Sequence, residues 1–196
     1  ESPTGERFVG KRGNHPAHIR NEFDMNRYLN ALGVAVPEAK LFGPSQWPYT
    51  MLSRFEEGSK PLSLQDRDAV QRVRQDFVPH AAIGNWDALG LDLDNVLMRP
   101  DGTPSYVDMG GSGPWRSMGK PKGEAWKPQV TELDSMQYEP PHTPEVFGNM
   151  SEQEIGQSWD KYGGQDAFTD ALQHLQDSST RNIMGQRVED IARRVA

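Results

Sequence analysis

The chain has 196 residues, 35% of them hydrophobic and 25% charged, enough to bury one sizeable core. Its formal charge of −7 argues against general nucleic-acid binding, which needs clustered Lys and Arg, and the lack of cysteine excludes disulfides and thiolate metal sites. No apolar run reaches the length of a membrane span or a signal-peptide core, and the chain has no internal repeat.

Ser2-Pro3-Thr4-Gly5 reads as a turn, and Phe8-Val9-Gly10-Lys11 as a strand ending in a lysine. An acidic amphipathic helix follows: Ile19, Phe23, Met25, Tyr28, Leu29 and Leu32 recur at roughly helical spacing, Glu22 lies among them, and Gly33 stops the helix. Ala39 to Phe42 and Tyr49 to Arg54 are strand candidates, followed by the connector Phe55-Glu56-Glu57-Gly58.

The most informative stretch runs from Ala81 to Gly113, where acidic groups, Asn95 and glycines sit between short apolar runs. Asp87 lies on a loop closed by Gly84 and Gly90. Asp94-Asn95 leads into a strand at Val96 to Met98, Pro100-Asp101-Gly102 turns the chain, and Ser105 to Val107 returns it to Asp108 and the Gly110-Gly111 turn. Such a hairpin, with Asn95 opening one strand and Asp108 closing the other, can place both oxygens on one Mg²⁺, a hard cation that takes few protein ligands. Asp87 stays free to orient a nucleophile, while Asp92 and Asp101 read as ordinary turn residues and Trp86 as packing.

From Gly113 to Pro128 the chain is rich in Gly, Pro, Lys and Trp and reads as an ordered loop, and Glu139 to Pro144 as irregular. Three helices are expected to close the chain: one capped by Ser151 with Glu154, one from Gln165 to Gln176, and one from Arg181 to Val195. The five histidines show no metal-ligand spacing.

The residues from Phe8 to Gly113 resemble the core of the protein-kinase-like fold, in the divergent form of phosphatidylinositol-kinase-like, HipA-like and bacterial effector or phage-encoded kinases. Each motif alone is weak, and the order of lysine, glutamate, hinge, Asp, Asn and metal-binding Asp carries the resemblance. It implies an α+β, two-lobed fold: a small β-rich lobe over residues 1–58, and a larger helical lobe over 59–196 with the catalytic loop and hairpin, joined at Phe55 to Gly58. It also implies an atypical kinase that uses ATP and Mg²⁺. Lys11 corresponds to the phosphate-holding lysine, Glu22 to the glutamate that pairs with it, and Asp87 to the catalytic Asp. Asn95 and Asp108 correspond to the metal-binding loop Asn and DFG-type Asp. The interval from Asp87 to Asn95 is longer than in HRDxxxxN, which leaves Asp92 as an alternative catalytic carboxylate. Ten residues before Lys11 are too few for a complete glycine-rich loop, so the sequence reads as a piece of a longer chain.

The acceptor stays open among protein, lipid and small molecule, as does phosphoryl against nucleotidyl transfer, and an effector context implies the cytoplasm of the producing or a target cell. Two other readings also stay open. One is a pseudokinase or binding module without turnover. The other is a haloacid-dehalogenase-like phosphatase, because Asp92-Leu93-Asp94-Asn95-Val96-Leu97 fits its motif with Asp92 as nucleophile.

Overall fold

A computed structural model describes residues 2–13, 15–43, 49–139 and 143–195. Two small antiparallel sheets and a set of helices make up an α+β protein. The first sheet has β1 (Phe8–Lys11), β2 (Ala39–Phe42) and β3 (Thr50–Arg54) in the order β1-β3-β2, with Lys11 opposite Met51. In the second, β4 (Lys60–Pro61), β5 (Val96–Met98) and β6 (Pro104–Tyr106) run in sequence order. The return strand lies one residue earlier than expected: Val107 leaves the β5–β6 register and donates its N–H to Asn95 O at 3.0 Å, which sets Asn95 beside Asp108 at the open end of the hairpin.

Helix α1 (Pro16–Leu32) starts three residues before the apolar repeat does, because Pro16 suits the first turn and His15 Nδ1 accepts from Ala17 N at 3.1 Å. Gly33, at φ +88°, ends it in the left-handed conformation that glycine adopts without cost. The helix is covered on most sides. Met25, Tyr28 and Leu29 enter the core, yet His18, Asn21, Glu22, Asp24 and Asn26 are also buried, and Phe23, expected on the apolar face, is only half-buried under Arg27.

The two short helices α2 (Arg67–Arg74) and α3 (Phe77–Ala82) precede the Asp87 loop, and α4 (Glu132–Ser135) and α5 (Thr143–Phe147) follow the Gly/Pro-rich segment. Thr143 and Pro144, expected in an irregular stretch, begin α5, since proline is tolerated in a first helical turn; Pro140 to His142 lie outside the described residues. The closing helices are α6 (Glu152–Lys161), α7 (Gly164–Ala171, continued by a 3₁₀ turn) and α8 (Ser178–Val195). Ser151 and Glu154 form the capping box at α6. Phe77 packs on Phe147 and Trp159 on Phe168, with centroids 5.2 and 4.5 Å apart.

Charged groups at the centre of this layer fix the Asp87 loop from below. Arg187 of α8 is fully buried and donates to Ala82 O, Ala81 O and Lys127 O at 2.8–2.9 Å and to Glu132 Oε2 at 2.8 Å. Glu132 Oε1 accepts from Trp86 Nε1 at 3.0 Å, so the pair ties α8, α4 and the loop together. A buried charge is tolerable only when paired and hydrogen-bonded, and removing one partner leaves the other stranded. Arg187→Met should therefore lower unfolding free energy by about 3–5 kcal/mol in urea titrations, and adding Glu132→Gln should recover part of that loss.

Candidate functional site

Lys11, Glu22, Asn95 and Asp108 line one cleft of about 420 Å³, with Asp94 beside them and an apolar wall that includes Val9, Met51, Leu97 and Met109. Lys11 Nζ donates to Glu22 Oε1 at 2.9 Å and to Asp108 Oδ1 at 2.6 Å. Three distant parts of the sequence meet at that ammonium: the end of β1, the second turn of α1, and Asp108, two residues past the end of β6. At another edge of the cleft, Glu56 takes a bidentate contact from Arg99 at 2.7 and 2.8 Å, which fastens the Phe55–Gly58 connector to the second sheet.

Local backbone explains why this sequence builds the site. Asp108 is a non-glycine residue at φ +57°, where strain of about 1–3 kcal/mol is held in place by its surroundings, here Lys11 and the Gly110 N–H, which reaches its Oδ1 at 3.2 Å. The two glycines that follow lie where other groups approach closely. A Cβ on Gly110 would meet Asp108 Oδ1 at 3.0 Å and Glu22 Oε2 at 3.4 Å, and one on Gly111 would meet Asp87 Cβ at 3.0 Å. Gly110 O contacts His18 Nε2 at 2.8 Å, and Ser112 O accepts from Asn21 at 3.0 Å, so the polar face of α1 clamps the DMGG turn.

Asp87 is half-buried on the loop between Gly84 (φ +59°) and Gly90 (φ +75°). Its carbonyl accepts from Asn95 Nδ2 at 2.7 Å, which commits the amide nitrogen of Asn95 to the loop. The Asn95 side-chain oxygen accepts no hydrogen bond among the described residues. Burial raises the Asp87 pKa, the carboxylates of Asp108 and Asp94 add to that, and Lys11 opposes it. Asp87 thus shares an electrostatic field with the cleft while lining a separate groove beside it. Asp92, the alternative carboxylate, is exposed in a bend rather than a strand, and neither lining includes it.

The donor set of Asn95 and Asp108, with Asp94 in the same cleft, is all oxygen and suits a hard cation such as Mg²⁺. Among the described residues no three His, Cys, Asp or Glu side chains form a metal cluster, and the set here depends on an amide oxygen. His15 caps α1, His18 holds Gly110 O, and buried His80 stays neutral, its pKa pushed down to about 3 by burial.

Lys122, Glu132 and Arg187 support the site without a motif to announce them. Lys122 is buried, donates to Gly84 O, and lies 4.5 Å from the Trp86 ring; burial brings its pKa down to about 7.

Glu22 is 2% exposed, and burial pushes its pKa up to about 7 against the pull of Lys11. Burial also pulls the Lys11 pKa down, but Glu22 and Asp108 outweigh it and leave the lysine firmly charged. A carboxyl whose folded pKa is raised stabilises the fold fully below its unfolded value and loses that contribution as pH rises through about 7. The unfolding midpoint of Glu22→Gln, relative to the wild-type chain, should therefore rise between pH 5 and pH 8; a difference independent of pH would contradict the raised pKa.

No protein-family model, no curated protein and no solved structure matches this chain.

Proposed function

We propose that the chain is an ATP- and Mg²⁺-dependent phosphotransferase, an atypical kinase with two lobes on either side of the Lys11 cleft. The observation that carries this reading is the ammonium of Lys11 held 2.9 Å from Glu22 and 2.6 Å from Asp108, with Asn95 in the same cleft. A firmly charged lysine beside an oxygen-donor pair suits a polyphosphate, and the apolar wall suits a flat base.

In this reading Lys11 holds the α- and β-phosphates, and Glu22 fixes the direction of its ammonium. Asn95 and Asp108 would hold Mg²⁺, which supplies neutralising charge to the phosphates when bound. Asp87 receives or orients the proton of the acceptor hydroxyl, and its raised proton affinity suits that role. The γ-phosphoryl group passes to that hydroxyl, with positioning and charge neutralisation supplying most of the acceleration. The acceptor class is a protein, a lipid or a small molecule.

One observation favours binding without turnover instead: Lys11 engages Asp108 directly, so the carboxylate assigned to metal already has a cationic partner. The phosphatase reading gains no such support, since its nucleophile follows a buried parallel strand, and both named sheets are antiparallel with Asp92 exposed.

Calorimetric titration of ATP with and without Mg²⁺, followed by turnover assays, tests the proposal. Asp108→Ala should abolish Mg²⁺-dependent nucleotide binding while circular dichroism stays unchanged. Asp87→Ala should lower kcat by on the order of 10²-fold with little loss of ATP affinity, and Asp92→Ala should be mild. An inactive Asp92→Ala beside a nearly normal Asp87→Ala would move the catalytic role to Asp92. Metal-dependent binding with no turnover would favour the binding module.

A further inference from the structure

The groove on the Asp87 side has a chemistry of its own. It encloses about 340 Å³ and is lined by Trp86, Asp87, Gly111, Arg116, Ser117 and Lys120, with Met118 exposed at its rim. Arg116 and Lys120 face each other across a tight hairpin: Arg116 N donates to Lys120 O and Gly119 N to Arg116 O, both at 2.8 Å, and Trp115 pairs with Pro121. The Arg116 guanidinium lies 5.2 Å from the Trp86 ring centroid, next in sequence to Asp87.

Like charges directly opposite on a hairpin repel, and the buried Lys122 adds a third cation close enough to Arg116 for the two to repel as well. The chain carries a net charge of −7, yet among the described residues neither Arg116 nor Lys120 has a side-chain hydrogen bond or a carboxylate partner. Two exposed cations, one a planar fork braced on an indole, make a receptor for a dianion at the edge of the reaction centre.

We infer that the acceptor carries a phosphate group near its reacting hydroxyl, and that Arg116 and Lys120 bind this phosphate so that the hydroxyl lies against Asp87. The inference rests on the phosphotransferase reading. In the transfer, the acceptor oxygen forms a bond to the γ-phosphorus as the bond to the β,γ-bridging oxygen breaks. ADP leaves with that electron pair, and the hydroxyl proton passes to Asp87 and then to solvent. A free phosphate ester and a phosphorylated lipid headgroup offer the same chemistry.

Calorimetry at low salt with glycerol 3-phosphate and with glycerol, and flotation with phosphatidylcholine vesicles with or without phosphatidylinositol 4-phosphate, test the assignment. A phosphate-bearing probe should bind the wild-type chain and the neutral one should not. Arg116→Gln with Lys120→Gln should weaken binding by about tenfold to a hundredfold, with unchanged thermal unfolding. Binding of the soluble ester identifies a small-molecule source, and binding confined to charged vesicles identifies a headgroup. Failure of both phosphate probes, equal binding by the double variant, or binding confined to an acidic serine-containing peptide would overturn the inference. Asp108→Ala separates the two levels: it should keep the phosphate probe and lose the nucleotide. A wild-type chain that binds no nucleotide would remove the phosphotransferase reading and, with it, the acceptor assignment.

Discussion

The buried carboxyl of Glu22 is the constraint on which the rest of the site depends. At 2% exposure its ionised form is tolerable only beside a cation, and the cation within reach is Lys11 at the end of β1. That requirement fixes the first sheet on α1. Lys11 then reaches Asp108 as well, which draws the β5–β6 hairpin and the DMGG turn onto the same helix. Gly110 completes the arrangement by lacking a Cβ where Asp108, Glu22 and His18 crowd its backbone.

A second buried ion pair, Arg187 with Glu132, does for the Asp87 loop what Lys11 does for the cleft. Arg187 grips the carbonyls at the end of α3, Glu132 grips Trp86, and Lys122 grips Gly84 O, so the segment leading into Asp87 is held at three points. The two networks meet at the paired glycines, since Gly110 packs on the Glu22 side and Gly111 on the Asp87 side. This divides the local charge. Carboxylates collect in the cleft around one lysine, while cations collect around Trp86, which lines the separate groove that Asp87 also lines. The raised pKa of Glu22 adds a pH dependence to the cleft, because protonation below about 7 removes the negative charge that faces Lys11.

Much of this was legible in the sequence, for definite reasons. β1, β2 and β3, the stop at Gly33 and the capping box at Ser151 follow from short-range chemistry, and each lies within a residue or two of its expected place. Helices α2 to α5 were not legible: α2 is polar over most of its length, and the others are too short for a 3.6-residue period to register. Burial of polar residues on α1 was hidden as well, because Asn21, Asp24 and Asn26 look like a solvated face until the DMGG turn, the segment around Gln176 and the chain at Pro37 cover them in turn. Lys122, Glu132 and Arg187 carry no motif, and a sequence does not distinguish a buried, paired charge from an exposed one.

The measurement that bears most directly on the central claim follows the label from ATP in parallel reactions with ³²P at the γ or the α position, with Mg²⁺ present and acceptors that include phosphate-bearing hydroxyl compounds. The phosphotransferase account predicts γ-label on the acceptor, none from the α position, and loss of transfer in Asp108→Ala. Label from the α position would make the reaction nucleotidyl transfer, and no label from either position, with Mg²⁺-ATP bound, would contradict turnover altogether.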